Sequence, residues 1–173
     1  MLTSKTKVRR DVEELMVNAT NGKTRTHPGD GALPDVSPTE ASRFVAASGL
    51  VVDEVTRASV RGHAELGIDH HTPWGVVHGG VYAAIVESAG SIGASHAVAG
   101  RGEFAVGIHN ATDFLRPSTG THASVVAEAL FQGRTQQLWQ VIITDEASSK
   151  VLARGQLRLQ NVPLPTDATN NGA

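Results

Sequence analysis

A glycine-rich turn that leads into a long apolar helix constrains the fold more than any other stretch of this 173-residue chain. The turn spans Gly75–Gly80, and the predicted helix after it consists almost entirely of alanine, glycine, serine and aliphatic residues. Such a helix can be packed closely on most sides, yet it carries one carboxylate, Glu87, about two turns from its start. Because burying an unpaired charge is costly, Glu87 must be paired, lie at an interface, or take part in chemistry.

Composition limits the classes of function. The length suits one domain with a substantial core, and the net charge of −2 comes without a basic face, so a nucleic-acid partner is not expected. No apolar run is long enough to span a membrane, and the N-terminus lacks the apolar segment of a signal peptide. The absence of cysteine excludes disulfides, thiolate metal sites and a cysteine nucleophile. We therefore expect a soluble cytoplasmic protein without a membrane partner.

The two ends of the chain differ from its middle. Residues 1–37 are mostly polar and lack an apolar period, which predicts a flexible N-terminal arm. The segment Ser37-Pro38-Thr39-Glu40 is typical of a helix start and predicts a short helix to about Ala47. Residues 163–173 are polar and are predicted to form a flexible tail. One domain is therefore expected over residues 38–162.

Alternating apolar and polar residues predict strands on both sides of the central helix. The alternation is clear over Ala58–Leu66, which is typical of a half-buried antiparallel strand. The helix is expected from about Gly79 to Val98, with Gly100 as its C-terminal cap. Four further strands are predicted at residues 104–108, 121–131, 137–144 and 150–160. This order predicts an α+β fold in which an antiparallel sheet of five to six strands curls around one long helix.

The start of the central helix offers hydrogen-bond donors that can polarise a carbonyl group. Gly79 and Gly80 allow the backbone to approach a ligand closely, and N–H groups at a helix N-terminus have no partner within the helix. One prealigned donor of this kind stabilises the charge of a transition state by about 3 kcal/mol. Glu87 and Ser91 are four residues apart and share one face of the helix. A carboxylate and a hydroxyl group are therefore expected to face the same space.

These residues resemble a known family. The motif His78-Gly79-Gly80, the acid Glu87 nine positions after the histidine, and the segments Phe114–Pro117 and Gly133–Thr135 occur here in the order of the hotdog-fold acyl-CoA thioesterases. The similarity covers roughly residues 45–162 and is greatest to the phenylacetate-pathway type and to the Arthrobacter-type 4-hydroxybenzoyl-CoA thioesterases. It implies a hotdog fold, hydrolysis of an acyl-CoA without a cofactor or metal, and homodimers that pair into a homotetramer with the acyl-CoA at the subunit interface.

The resemblance also implies roles for individual residues. Glu87 attacks the thioester carbonyl or activates the water that does, the Gly79 amide polarises that carbonyl, and Ser91 positions water or the carboxylate. His78 joins this catalytic set, where a ring hydrogen bond is expected to hold the turn. In the family, the acid and the polarising amide come from different subunits. Six further residues are implied in substrate binding: Gly80, Thr72, Asn110, Arg116, Arg134 and Thr135.

One departure from the family pattern affects the substrate. Relatives that act on aromatic acyl groups carry a glutamine six positions before the motif histidine, and this chain has the shorter Thr72 there. The thioesterase class does not depend on that glutamine, but specificity for the 4-hydroxybenzoyl group does. The sequence therefore leaves the acyl group open, with Arg116 and Gly133–Thr135 as the candidate contacts for CoA phosphates.

Two alternative functions and one alternative site stay open at this point. The chain could be a hotdog hydratase or dehydratase, although these enzymes usually carry the histidine on a different loop. It could also bind or sense acyl-CoA without turnover. The segment Asp69-His70-His71 suggests metal ligands, but adjacent residues of an extended loop point apart and no cysteines are present, so we predict no metal site.

Overall fold

The computed structural model describes residues 42–164. The predicted N-terminal arm (residues 1–37) and all but the first two residues of the predicted tail lie outside the described residues. Two helices and six strands follow one another: α1 (Arg43–Ala47), β1 (Leu50–Val55), β2 (Ser59–Leu66), α2 (Gly79–Val98), β3 (Glu103–Phe114), β4 (Thr121–Gln132), β5 (Gln136–Asp145) and β6 (Lys150–Pro163). Short 3₁₀ turns lie at Ile68–His70 and Ala99–Arg101.

The six strands form one antiparallel sheet in the order β1-β2-β4-β5-β6-β3, and α2 packs against one face of it. This is the predicted α+β arrangement, with six strands around one long helix. Inward-facing side chains of the sheet and one side of α2 form a continuous core around the fully buried Trp139. The alternation expected from residue 150 to residue 160 is present only from Arg154 onward, where Gly155, Leu157 and Leu159 are buried and the arginines and the glutamine between them are exposed. It fails at the start of β6, where Leu152 and Ala153 are both buried.

Glycines allow α2 to lie unusually close to the sheet. A methyl group at Gly90 would come within 2.6 Å of Leu157, and one at Gly93 would come within 2.6 Å of the Trp139 ring. Every residue from Val81 to Ser95 is buried or half-buried, which explains why the helix has so few long polar side chains. None of the described helices is both long and apolar enough to cross a membrane.

Besides shifts of one to three residues at the ends of β4, β5 and β6, four sequence-based boundaries need correction. Helix α1 begins at Arg43, because Ser42 has an extended backbone, and the predicted start at Ser37 lies outside the described residues. Ala58 is exposed and precedes β2. The left-handed glycine that follows α2 is Gly102, with φ +68°, because the 3₁₀ turn continues the chain past Gly100.

The fourth correction concerns the length of β3. The predicted strand ended at residue 108, whereas β3 continues to Phe114 and pairs with β6 along its whole length. It is the edge strand of the sheet, so polar residues such as Asn110 and Asp113 occur in it without being buried. A β-bulge between Gly107 and His109 interrupts its register with β6.

Candidate active site

The N-terminus of α2 is capped by the motif histidine. His78 has an extended backbone, and its ring Nδ1 accepts a hydrogen bond of 2.8 Å from the Gly80 N–H. The histidine thus has the turn-holding bond that we expected, and it engages the amide of Gly80. Within residues 42–164, the Gly79 N–H donates to no acceptor. Gly79 therefore presents the unpaired amide at the positive end of the helix dipole.

Thr72 belongs to the turn before this cap. Its N–H donates to the Val76 carbonyl over 2.7 Å, and its hydroxyl oxygen accepts a bond of 3.3 Å from the Trp74 N–H. The left-handed φ of +76° at Gly75 closes the turn. The Thr72 side chain thus stabilises the loop that precedes the helix and retains a hydroxyl proton for one further bond.

Glu87 lies two turns along α2, half-buried and next to the edge strand β3. Its Oε2 accepts a hydrogen bond of 3.0 Å from Asn110 Nδ2, which also donates to the Ala83 carbonyl over 3.2 Å. The Thr112 hydroxyl donates to Asn110 Oδ1 over 2.7 Å. None of the ion pairs formed among residues 42–164 includes Glu87. The carboxylate is therefore oriented by an amide, and no cation in the described part of the chain neutralises it.

Ser91 lies one helical turn beyond Glu87 and is half-buried. The four-residue spacing puts the two side chains on one face of α2, as predicted. The next serine on this face, Ser95, is tied to β3, because its hydroxyl oxygen accepts a bond of 3.1 Å from the Ala105 N–H. The hydroxyl groups of Ser91 and Ser95 thus follow Glu87 along one face of α2.

A small cavity of about 190 Å³ lies beside the start of α2. Gly79 and Tyr82 form its helix side, and the chain at the end of β3, from Phe114 to Pro117, forms the other. The Phe114 ring lies against Gly79, where a methyl group would come within 2.8 Å of it. Burial raises the pKa of the Tyr82 phenol, and the nearby Ser118 hydroxyl offsets part of this effect.

The candidate phosphate contacts lie at opposite ends of the domain. Arg116 lines the cavity at the start of α2 and donates to the Val151 carbonyl over 2.7 Å. The turn that contains Arg134 and Thr135 lies near the far end of α2, where Arg101 donates to the Arg134 carbonyl over 3.4 Å. The structure therefore does not bring the two arginines together within one chain.

The Arg134–Thr135 turn is fixed by a buried amide pair. Asn161 donates to the carbonyls of Gly133 and Arg134, and its backbone N–H donates to the Thr135 carbonyl over 2.8 Å. Gln137 in turn bonds to Asn161 and to the Ala94 carbonyl of α2. Because both amides are buried, the turn has a defined position relative to the helix.

The histidines suggested as metal ligands bind backbone groups instead. His70 bonds to the Ala47 carbonyl and accepts from the Gly67 N–H, and His71 bonds to the Thr119 carbonyl. Among the residues that the structure describes, no group of three or more histidines, aspartates or glutamates is arranged to hold a metal ion.

Sequence reasoning missed two residues beside Glu87. Gly107 faces the carboxylate directly, and Thr112 acts on it through Asn110. Neither belongs to the motif, and both reach the site through the pairing of β3 with the rest of the sheet. A pattern of polar residues on a predicted edge strand facing the helix could have indicated Thr112.

Comparison with known proteins identifies the family. The family model described as "Thioesterase superfamily" matches residues 75–152, from the capped turn to the start of β6. A solved structure from Mycobacterium tuberculosis, titled as a "putative esterase Rv1847/MT1895", is 39% identical and has a TM-score of 0.68; the alignment covers 70% of this chain and 98% of that one. The chain belongs to the thioesterase superfamily.

Sequence matches to curated proteins agree with this membership in the thioesterase superfamily. The M. tuberculosis protein named "Putative esterase Rv1847" is 50% identical over 93 residues, which cover 51% of this chain and 64% of the relative. A Listeria monocytogenes protein named 1,4-dihydroxy-2-naphthoyl-CoA hydrolase is 34% identical over 76 residues, 44% of this chain and 61% of the relative. These sequence alignments span less than two thirds of either relative.

Proposed function

We propose that the protein hydrolyses an acyl-CoA thioester to the free acid and CoA. The observation that carries the proposal is Glu87, a carboxylate on the core helix that an amide orients and that no cation among the described residues neutralises. The free Gly79 amide supplies the second catalytic group. Membership in the thioesterase superfamily and the Listeria relative named as a CoA-thioester hydrolase support the substrate class.

The chemistry divides between these two groups. The thioester carbonyl carbon is attacked either by a Glu87 oxygen or by a water from which Glu87 takes a proton. The carbonyl oxygen then acquires negative charge, which the Gly79 N–H stabilises by about 3 kcal/mol when it is prealigned. Collapse of the intermediate breaks the C–S bond, and CoA leaves as a thiolate that gains a proton. Ser91 positions the water that attacks or that later hydrolyses an acyl-Glu87 intermediate.

Distance along the helix favours a site shared by two copies of the chain. Gly79 and Glu87 are eight residues apart, so their Cα atoms are about 12 Å apart along the helix axis. This separation makes it difficult for one carbonyl group to contact both groups of the same helix. A homodimer in which Glu87 of one copy faces Gly79 of its partner removes this difficulty, and we propose that such dimers pair into a homotetramer.

The edge strand β3 is suited to that dimer contact. Its outer edge has no neighbouring strand in the described sheet, and Val106, Ile108 and Phe114 on it are exposed. An exposed edge strand of 12 residues that carries apolar side chains is a ready surface for pairing with another chain. Because Glu87 lies against this same strand, pairing there would enclose the carboxylate between two copies.

The substrate-binding assignments follow from the same arrangement. Arg116 of one copy and the Arg134–Thr135 turn of the other would hold the CoA phosphates, since one chain keeps them apart. Because His78 accepts the hydrogen bond of the Gly80 N–H, Gly80 contributes only close approach of the backbone to the substrate. Thr72 can donate its hydroxyl proton to the substrate, and Asn110 borders the acyl group. A chain without cysteines that acts on CoA thioesters fits the cytoplasm.

The test is acyl-CoA hydrolysis by Glu87→Gln, followed as release of free thiol over a panel of short, long and aromatic acyl groups. We expect kcat to fall at least about 100-fold, as for the loss of a general base or nucleophile. Glu128→Gln is the matched control, because Glu128 is an exposed carboxylate on β4.

Three results would contradict the proposal. The first is near-native turnover by Glu87→Gln. The second is hydration of crotonyl-CoA in place of hydrolysis, which would indicate a hydratase. The third is tight acyl-CoA binding by the wild-type protein without turnover on any member of the panel, which would indicate a binding module.

A further inference from the structure

We propose that Gly107, Asn110 and Thr112 of β3 are positioning residues that fix the carboxylate of Glu87. The inference rests on the catalytic role proposed for Glu87. It assigns to Asn110 a task in addition to bordering the acyl group, and it gives functions to two residues outside the motif. The three residues contact the carboxylate, or the amide that binds it, from the strand that faces α2.

Asn110 connects the carboxylate to the helix backbone. Its Nδ2 lies 3.0 Å from Glu87 Oε2 and 3.2 Å from the Ala83 carbonyl, so the two N–H bonds of one amide nitrogen have separate acceptors. This places Oε2 at a fixed distance from the previous turn of α2. An amide that donates to a carboxylate also gives a stronger hydrogen bond than one between neutral groups.

Thr112 holds the oxygen end of the Asn110 amide, while the two acceptors of the amide nitrogen, Glu87 Oε2 and the Ala83 carbonyl, favour the observed orientation. The Thr112 hydroxyl donates to Asn110 Oδ1 over 2.7 Å, so the amide oxygen points toward Thr112 and the nitrogen toward the carboxylate. With the amide turned over, the Asn110 oxygen would face the negatively charged Glu87 and repel it. Thr112 thus acts on Glu87 through Asn110 and touches neither the carboxylate nor the substrate.

Gly107 provides the space that the other carboxylate oxygen occupies. A methyl group at Gly107 would overlap Glu87 Oε1, and the overlap involves the carboxylate alone. Gly107 is not among the glycines with positive φ, so its backbone does not demand glycine. The absence of a side chain is therefore explained by the room that Glu87 needs.

The β-bulge brings these residues to one face of the strand. In a regular strand, positions an odd number apart point to opposite faces, so Gly107 and Asn110 would not both face the helix. The register shift between Gly107 and His109 changes this alternation, and Gly107 then pairs with Leu159 while Asn110 pairs with Leu157. Both partners are buried on the helix side of the sheet. The bulge thus re-aims side chains at a site, as bulges often do.

Gly107→Ala is the sharpest test, because it moves the carboxylate without removing a polar group. Alanine suits a strand at least as well as glycine does, so the fold should tolerate it. We expect kcat to fall about 10- to 100-fold with KM within about twofold, since a displacement near 1 Å of a catalytic group has effects of this size.

Asn110→Ala should lower kcat to a similar extent, because it removes the hydrogen bond from Asn110 Nδ2 to Glu87 Oε2. Thr112→Val removes only the hydroxyl group at nearly constant volume and should lower kcat by about 3- to 10-fold, as expected when an oriented amide loses one of its hydrogen bonds. Thr112→Ser restores the donor and should recover most of the wild-type kcat. Gln156→Ala is the matched control: this exposed amide lies on the neighbouring strand β6, on the face away from α2.

The results separate this inference from the proposed function. Loss of activity in Glu87→Gln together with wild-type kcat in Gly107→Ala and Asn110→Ala overturns the positioning role alone. A raised KM at unchanged kcat in Asn110→Ala assigns Asn110 to substrate contact and also overturns it, as does failure of Thr112→Ser to recover what Thr112→Val loses. A crystal structure of Asn110→Ala provides a readout independent of turnover, because an unmoved Glu87 carboxylate contradicts the inference even if no substrate is found.

Discussion

At the scale of single residues, the most specific structural assignment is that of His78. Its ring nitrogen accepts a hydrogen bond from the Gly80 N–H, and a nitrogen that accepts in this way carries no proton. The histidine satisfies one of the amides that a helix N-terminus leaves unpaired. The bond that the structure shows therefore stabilises the turn that presents the Gly79 amide, and we predict that proton transfer by the ring is not needed.

Replacement of His78 should distinguish a role in capping the helix from a role in proton transfer. His78→Ala removes the cap and should lower the free energy of unfolding by about 1 kcal/mol, whereas His78→Asn supplies another good capping acceptor and should lose less. Denaturant unfolding measures both values. We expect kcat of His78→Asn to stay within a few-fold of wild type; a loss comparable to that of Glu87→Gln would show that the ring takes part in the chemistry.

The sequence was sufficient to predict site residues that lie close to one another along the chain. Gly79, His78 and Glu87 are related by short spacings along one helix, and helical geometry makes such spacings informative. Gly107 and Thr112 could not be found in the same way. Their place beside Glu87 depends on strand register and on a bulge, and neither is specified by the residue pattern of β3 alone.

At the scale of secondary-structure elements, the helix was predicted better than the edge strand. The bounds Gly79–Val98 agree with the sequence-based ones, because the glycine turn and the apolar composition mark the helix. Strand β3 was predicted to end at residue 108, because its second half alternates little and is polar. An edge strand needs few buried side chains, so hydrophobic periodicity is a weak signal for its length.

The contact between α2 and the sheet gives a prediction at this scale. Gly93→Ala would bring a methyl group within 2.6 Å of the Trp139 ring and 2.9 Å of Val60, and both neighbours are fully buried. Such overpacking costs about 1–3 kcal/mol, which should exceed the gain of up to about 1 kcal/mol in helix propensity. Chemical denaturation should therefore show a destabilised protein.

Gly100→Ala is the control for that experiment. Gly100 follows α2, and a methyl group there meets no atom within 4 Å in the described part of the chain. We expect unchanged or slightly raised stability, because alanine restricts the unfolded chain more than glycine does. Equal stability of Gly93→Ala and Gly100→Ala would contradict the close packing of α2 on the sheet.

At the scale of the whole molecule, the groups proposed for catalysis and the residues proposed as phosphate contacts lie far apart within one chain. The unpaired Gly79 amide and Glu87 are separated along the helix, and Arg116 and Arg134 lie near its two ends. The sequence supplied these residues but not their separation, which follows from how the turns between strands meet the helix. Pairing of two copies would bring the Gly79 amide of one copy close to Glu87 of the other.

Complementation between two inactive variants tests this pairing. Gly79→Pro removes the amide hydrogen, and proline is well tolerated at the first position of a helix, where the extended backbone of His78 also suits it. Gly79→Ala is its control, because it displaces the Phe114 ring in the same way but keeps the N–H. We expect Gly79→Pro to be nearly inactive and Gly79→Ala to be substantially active.

Mixing Gly79→Pro with Glu87→Gln under conditions that exchange subunits should then restore activity. A mixed dimer has one site with both an intact Glu87 and an intact Gly79, so an equal mixture should recover about one quarter of the wild-type rate if dimers form at random. Size-exclusion chromatography with light scattering establishes that the mixed species is a dimer or a tetramer. Since a site within a single chain would carry one lesion in every copy, a mixture that exchanges subunits and remains inactive would contradict the shared site.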